Sequence, residues 1–153
     1  MNKFAFIVHP ISVEQFQKVL SRWNLLKYLP RVFLKKLLPT IKPYIFLTLK
    51  GLKSKNGNMA KGYLLMCPMV PDQMVGNNTE LAIQRVVEAA KLARKKGAEI
   101  IGLAGFTSII TNQGVDVKSA VNSLAVTSGN AYTACLAIEG LLDAVDFCNI
   151  DTK

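Results

Sequence analysis

A long amphipathic helix enclosed by two strand-like segments constrains the fold more than any other feature of the sequence. Asn77, Asn78 or Thr79 can cap this helix, which continues to Lys96 and ends at Gly97. Residues 61–66 before it and 99–103 after it have the apolar composition of strands. A strand, a helix and a strand in this order favour parallel pairing. The predicted inward residues of the helix are Ile83, Val86, Val87 and Ala90, and the outward ones are Arg85, Glu88, Lys91 and Lys95.

The N-terminal part of the chain continues this alternation. Residues 4–8 predict a strand, Ser12 can cap a helix to about Trp23, and a short basic helix is predicted within residues 25–38. Residues 44–53 and 61–66 predict the two arms of a β-hairpin. The Asn56-Gly57 pair between them is typical of a type I′ turn.

The C-terminal part is less regular at first and then ends in a helix. After the strand at 99–103, a loop leads into a weakly defined stretch up to Asn122, followed by a short strand at 124–127. A helix is predicted from Ser128 to about Cys148, with Glu139, Asp143 and Asp146 on one solvent face.

These elements predict an α/β fold, three-layer-like, with a mostly parallel sheet and one β-hairpin. The chain has 153 residues, of which 50% are apolar, so we expect a single α/β domain over residues 1–153 with a buried core. The longest nearly uncharged apolar stretch, 100–110, is too short to span a bilayer. The first residues lack a secretory cleavage pattern, and three scattered cysteines do not indicate a disulfide framework. We therefore expect a cytoplasmic protein without a transmembrane segment.

The charge is distributed unevenly along the chain. Residues 1–61 carry 12 Lys and Arg against one acid, Glu14, whereas residues 62–153 carry 7 against 9. This asymmetry indicates an anionic partner for the N-terminal half: nucleic acid, an acidic protein, a phosphorylated cofactor or an anionic membrane surface. A solvated basic face without a specific partner is the other interpretation. The aromatic residues in apolar patterns are expected in the core, which makes nucleic acid unlikely: Phe4, Phe6, Phe16, Trp23, Phe33 and Phe46.

Two predicted strand ends combine glycine with polar side chains, in residues 102–108 and 126–133. Ligands of open α/β sheets bind outside the carboxyl ends of the strands, so both segments are candidate binding loops. Alternatively, Gly105 and Gly129 only satisfy turns, and Ser128 or Asn130 only caps a helix. No metal site is predicted, and the familiar nucleotide-binding and hydrolase motifs are absent from the sequence.

Single residues at two other strand ends also carry reactive groups. His9 follows the first strand and is either a site residue or, more simply, a packed and hydrogen-bonded histidine. Cys67 ends the hairpin and is either a nucleophile or a small buried hydrophobe. The sequence does not identify catalytic residues.

The sequence also resembles a known family in these loops. Residues 105–110, GFTSII, and 127–134, TSGNAYTA, are similar to the G-G-F-T-S-I-I and T-T-G-N-T-H-T-A segments of the long-chain acyl-[acyl-carrier-protein] reductases. Wider relatives are predicted amino-acid dehydrogenases or shikimate-dehydrogenase-like proteins. Residues 4–9 are similar to that family's first strand and its histidine. The sequence departs from the family at Ala104, Ser128, Ala131 and Tyr132, where Tyr132 replaces a histidine.

The resemblance implies an N-terminal substrate-side domain of an enzyme that reduces a fatty acyl thioester to an aldehyde with NADPH. The NAD(P)-binding Rossmann domain and the reactive cysteine follow in such families, so this chain alone is expected to hold no cofactor and to bind without catalysing. The implied partners are acyl carrier protein or a coenzyme A thioester, the missing Rossmann domain and, through an exposed face, a possible homodimer. A non-enzymatic basic binding module, for nucleic acid for instance, is the alternative. The implied substrate-binding residues are His9, Gly105, Phe106, Thr107, Ser108, Thr127, Ser128, Gly129, Asn130 and Thr133.

Overall fold

The computed structural model describes residues 2–20 and 29–150. These residues form five strands, seven α-helices and three 3₁₀ turns. The strands are β1 (Asn2–Val8), β2 (Tyr44–Lys53), β3 (Met59–Met66), β4 (Ile100–Leu103) and β5 (Ala125–Thr127). The helices are α1 (Val13–Leu20), α2 (Arg31–Leu37), α3 (Pro71–Met74), α4 (Thr79–Lys95), α5 (Phe106–Ile109), α6 (Val115–Ala120) and α7 (Asn130–Phe147).

The five strands form one sheet in the order β2-β3-β1-β4-β5. β1 pairs in parallel with β3 and with β4, and β4 pairs in parallel with β5. β2 is antiparallel to β3 and forms the hairpin with it. The predicted α/β fold with a mostly parallel sheet and one hairpin is therefore confirmed.

The main core lies between the sheet and α4, on the side that we call the α4 face. Because crossovers between parallel strands are right-handed, the β3–α4–β4 and β4–α6–β5 connections cover the same side of the sheet. Ala5, Ile7, Leu65 and Ile101 point to this side, and the small residues of α4 pack against them. Burial of a large apolar side chain such as Ile7 contributes about 1.5–3 kcal/mol. The buried residues of α4 are Ala82, Val86, Ala89, Ala90 and Ala93.

A second, smaller core lies on the opposite side of the sheet, which we call the α1 face. Phe16 of α1 and Leu34 of α2 are buried there, against Met66 of β3 and with Val8 of β1 packed alongside. These helices cover only the carboxyl ends of β1 and β3. No other described element covers the rest of the α1 face, where Phe6 is 45% exposed and Ile100 is 43% exposed.

Aromatic rings fill the space above two glycines on this open part of the sheet. Phe4 pairs in register with Gly62, and a Cβ added to Gly62 would lie 2.5 Å from the Phe4 ring. Phe6 pairs with Gly102 and occupies the corresponding position above it. The two rings meet edge to face with centroids 5.8 Å apart. The glycines therefore make room for the aromatic pair.

The hairpin turn differs from the type I′ turn that the sequence predicts. Gly57 has φ +83°, but Asn56 is not among the described residues with positive φ, and a type I′ turn needs positive φ at both positions. The Gly57 N–H donates to the Ser54 carbonyl at 3.0 Å, and the Ser54 N–H donates to the Asn58 carbonyl. This is a three-residue loop, 55–57, in which the left-handed glycine closes an ordinary turn.

Several predicted boundaries and positions are also corrected. The stretch before Asn122 is ordered into α5, a 3₁₀ turn and α6, because Val117 and Thr111 are buried there. Arg85 was predicted to point outward, but its side chain is only 13% exposed and donates to Glu88 and to the Pro39 carbonyl. Residues 21–28, which include the predicted end of the first helix at about Trp23 and the start of the segment 25–38, lie outside the described residues. Three aromatics expected in the core are exposed instead: Phe6, Phe33 and Phe46.

Candidate functional site at the carboxyl end of β1

The carboxyl end of β1 is a topological switch point, where the connections of neighbouring strands lie on opposite sides of the sheet. The chain leaves β1 towards α1 on one side of the sheet, but it leaves the neighbouring strands β3 and β4 towards helices on the other side. Loops that diverge in this way open a crevice beyond the strand ends, where ligands of α/β proteins bind. Topology alone therefore selects this end of β1 as the candidate site.

A cavity of about 290 Å³ occupies one side of this crevice. Residues 11–14, which follow β1, form one wall, and Val70 and Asp72, which follow β3, form another. Arg31, Val32 and Lys35 of α2 complete the lining. A second groove of about 460 Å³ shares Val32, Lys35 and Asp72 with the first and extends to Lys36 and Asn78. Two adjoining concave surfaces thus meet at Lys35.

Charges of both signs line the first cavity. The Arg31 guanidinium lies 3.1 Å from the Glu14 carboxylate, and Lys35 Nζ lies 3.8 Å from the Asp72 carboxylate. Hydrogen bonds from its own backbone and from the Ser12 hydroxyl hold the pKa of Glu14 below its usual range, with Arg31 and Lys35 contributing further. Glu14 is therefore ionised at neutral pH. Exposed ion pairs contribute little to stability, so an anionic ligand can compete for these cations.

Local hydrogen bonds hold the walls of the cavity in place. The Ser12 hydroxyl accepts the Gln15 N–H at 3.2 Å, and the Gln15 side chain accepts the Ile11 N–H at 2.7 Å. This reciprocal cap fixes the start of α1, as the sequence predicts for Ser12. Gln73 accepts the Val70 N–H and donates to the Lys35 carbonyl. It thereby connects α3 to α2 across the two grooves.

His9 connects β1 to the loop after β4. A carbonyl oxygen can only accept, so Nδ1, which lies 3.1 Å from the Pro10 carbonyl, is assigned the proton. The other ring nitrogen, Nε2, accepts the Phe106 N–H at 3.3 Å. The His9 and Phe106 rings also meet edge to face at 6.0 Å. This geometry matches a packed, hydrogen-bonded histidine.

The loop after β4 brings the first set of predicted site residues next to His9. Gly105 has φ +55°, and a Cβ added there would lie 3.0 Å from His9 Nε2. Thr107 is buried and donates to the Ala104 carbonyl at 2.9 Å. Ser108 is also buried, and its hydroxyl is the one buried side-chain polar atom without a hydrogen-bond partner among the described residues. The loop is therefore packed against β1 and keeps one unsatisfied hydroxyl.

The second set of predicted site residues lies one strand further from β1. Thr127 accepts the Gly129 N–H, and Thr133 donates to the Gly129 carbonyl, both at 3.2 Å. Asn130 donates to the Gln113 side chain at 2.7 Å. Ser128 is half-buried between them. These contacts are those of a strand-to-helix turn, and the structure does not bring this loop to His9.

Cys67, by contrast, is buried within the core at the end of β3. Burial raises the pKa of its thiol to about 12. A thiol that stays protonated at neutral pH is a poor nucleophile, so the structure favours the small buried hydrophobe. Within residues 2–20 and 29–150, no three His, Cys, Asp or Glu side chains are grouped to hold a metal ion.

Sequence reasoning missed most of the cavity wall. Residues 11–14, Val70 and Asp72 carry no motif, and only their position after β1 and β3 places them together. The available signal was the strand order, which a single sequence does not show. Arg31, Lys35 and Lys36 were visible as a basic segment, although two of them are paired with acids.

The chain is similar to part of an aminotransferase. It is 28% identical over 155 residues to aminotransferase PigE from Serratia sp. (strain ATCC 39006). The match covers 99% of this chain but only 18% of the relative. No family model matches the sequence.

This similarity corrects one expectation from the sequence. The resemblance to acyl-[acyl-carrier-protein] reductases implied an NADP-dependent oxidoreductase that forms a fatty aldehyde. The named relative is an aminotransferase, so the expected reductase activity is wrong on this evidence.

In the part of the chain that the structure describes, no helix is long and apolar enough to cross a membrane.

Proposed function

We propose that this chain is a substrate-binding α/β domain of a larger enzyme similar to PigE, and that it holds its ligand at the carboxyl end of β1. The observation that carries the proposal is the 290 Å³ cavity between the segments that follow β1 and β3. It lies where the sheet topology directs ligands, and α1, α2 and the segment after β3 line it. The proposal assigns binding to this chain and no reduction step.

The charges around the cavity favour a phosphorylated ligand or carrier. Arg31, Lys35 and Lys36 are exposed on one helix of seven residues, α2, along the two grooves. Cations in this arrangement suit a phosphorylated carrier of an acyl thioester, either coenzyme A or acyl carrier protein. Glu14 and Asp72 reduce the net charge, and they also orient the guanidinium and the ammonium group before the ligand arrives.

A basic binding module is the second candidate, and one observation favours it. Residues 44–66, the β2–β3 hairpin, contain Lys50, Lys53, Lys55 and Lys61 and no acid. Nucleic acid would meet this hairpin rather than the cavity, with a steep dependence on salt.

Calorimetric titration of the chain with an acyl-coenzyme A distinguishes the two candidates. We expect Lys35→Ala to weaken binding about tenfold, which corresponds to about 1.4 kcal/mol. Lys53→Ala, an exposed lysine of the hairpin, is the matched control and should leave the affinity unchanged. Absence of binding would contradict the proposal. An equal loss of affinity in both variants, together with effective competition by a random DNA duplex, would favour the basic module instead.

A further inference from the structure

Helix α7 buries no side chain against the other described residues. It is 18 residues long, and none of its side chains is buried. Ile138 is 60% exposed, Leu141 65% and Leu142 57%. An isolated helix of this length is marginal in water, and a largely apolar one is normally covered by another surface. The helix therefore requires a docking surface.

One side of α7 forms a continuous apolar stripe. Residues three and four positions apart lie on one face of a helix, and this spacing places Ala131, Cys135, Ile138, Leu142 and Val145 in line. Glu139, Asp143 and Asp146 border this stripe along one flank. The helix contains no Lys or Arg, so the border of the stripe is acidic.

A matching apolar surface lies on the open part of the α1 face. Strand register brings Leu64, Phe6 and Gly102 into one row and Gly62, Phe4 and Ile100 into the next. We call these six residues the bare sheet patch. Leu47 and Leu49 of β2 extend the same two rows, and Leu47 is 47% exposed. Lys50, Lys53 and Lys55 of the hairpin are exposed beside this end of the patch.

Two hydrogen bonds hold the start of α7. The Gly129 N–H donates to Thr127 at the end of β5, and Asn130 donates to Gln113 in the 3₁₀ turn before α6. With this start, no side chain of α7 is buried, and Phe6 and Ile100 of the bare sheet patch remain exposed. We propose that α7 of one copy lies on the bare sheet patch of a second copy, reciprocally, in a two-fold symmetric dimer. The acidic flank of α7 then faces the lysines of the partner's hairpin.

The area of this contact is adequate for a specific dimer. A helix of 18 residues is about 27 Å long and about 10 Å wide. Two reciprocal helix-to-sheet contacts, with both surfaces counted, remove on the order of 1,000 Å² from water, close to the lower range of specific interfaces. A two-fold arrangement also covers both helices and both patches at once, and it leaves no open end for further association.

Sedimentation equilibrium of the 153-residue chain tests the proposal. We expect a concentration-dependent dimer whose Kd rises about 100-fold or more in Ile138→Glu, because the charge would be buried on the apolar patch. Leu136→Glu, on the same helix but outside the stripe, is the matched control and should remain dimeric. Asp143→Lys should weaken the dimer, and Lys53→Glu should partly restore it. A monomer at all concentrations, or equal effects of Ile138→Glu and Leu136→Glu, would overturn the proposal.

Disulfide trapping identifies which copy supplies the helix. In a Cys135→Ser, Cys148→Ser background, Ile100→Cys and Ile138→Cys are introduced into two separately tagged chains. Mixing the two chains under oxidising conditions should give a disulfide-linked dimer that carries both tags. A chain that carries both cysteines and closes a disulfide within a monomer would show that α7 covers its own patch, which overturns the proposal.

Discussion

At the scale of single residues, His9 and Gly105 determine how closely the end of β1 approaches the loop after β4. His9 Nε2 accepts the Phe106 N–H, and Gly105 allows this approach because it has no Cβ and has φ +55°. Any side chain at position 105 would meet both a strained backbone conformation and the imidazole ring. The two residues therefore set the distance between the end of β1 and the loop after β4.

We predict that Gly105→Ala lowers the free energy of unfolding by about 1–3 kcal/mol. Gly140→Ala is a useful contrast, because Gly140 is within α7 and nothing lies within 4 Å of an added Cβ. Alanine there should stabilise the helix by up to about 1 kcal/mol. Urea unfolding measures both changes, and an unchanged midpoint in Gly105→Ala would contradict the assigned loop geometry.

The three cysteines should differ in reactivity. Cys67 is buried with the pKa of its thiol raised to about 12, whereas Cys135 and Cys148 are exposed. In the monomer at pH 8 we expect an aromatic disulfide reagent to label Cys135 and Cys148 rapidly and Cys67 only after unfolding; a dimer through the α7 stripe should slow the labelling of Cys135. Rapid labelling of Cys67 in a Cys135→Ser, Cys148→Ser variant would show that this side chain is accessible.

Cys67 should also make stability depend on alkaline pH. The unfolded chain ionises this thiol near its ordinary value of 9.0, but the folded chain keeps the proton up to about pH 12. The folded state therefore binds more protons in this range, and stability falls as pH rises from about 9 to 12. Cys67→Ala should reduce this slope, measured by urea unfolding at several pH values. An unchanged slope would assign the pH dependence to other groups.

At the scale of elements, periodicity predicted those that have a clear pattern and missed those that depend on context. The spacing of apolar residues located α4, and the composition of residues 4–8 located β1. Helix α6 was missed because it is only six residues long and has one buried residue, Val117, too few for a period to emerge. The open side of the sheet was missed because a run such as FAFIV indicates burial without showing whether a helix covers each face.

Val117 gives a direct test of α6. Val117 is fully buried against the main core, whereas Val115 in the same helix is 54% exposed. We predict that Val117→Ala lowers the free energy of unfolding by about 2 kcal/mol, because it removes buried methyl groups and leaves a cavity. Val115→Ala should change it by less than about 0.5 kcal/mol. Equal effects in thermal or urea unfolding would contradict the placement of this helix.

At the scale of the whole molecule, the candidate site depends on strand order more than on any motif. The sequence located His9 and the glycine loop after β4, but the cavity wall needs β1 and β3 to be neighbours with connections on opposite sides. The structure was also needed to show which basic residues of the N-terminal half are paired with acids. Arg31 and Lys35 are paired at the cavity, whereas the hairpin lysines stand in a segment without acids.

Chemical-shift mapping during titration with an acyl-coenzyme A shows where on the chain the ligand binds. Backbone amide resonances report which residues sense the ligand, independently of any substitution. We predict that the largest shifts fall on residues 11–14, on α2 and on Val70 and Asp72, with smaller shifts at His9 and Phe106. Shifts confined to residues 50–61 of the hairpin, or no shifts at saturating ligand, would contradict a substrate site at the carboxyl end of β1.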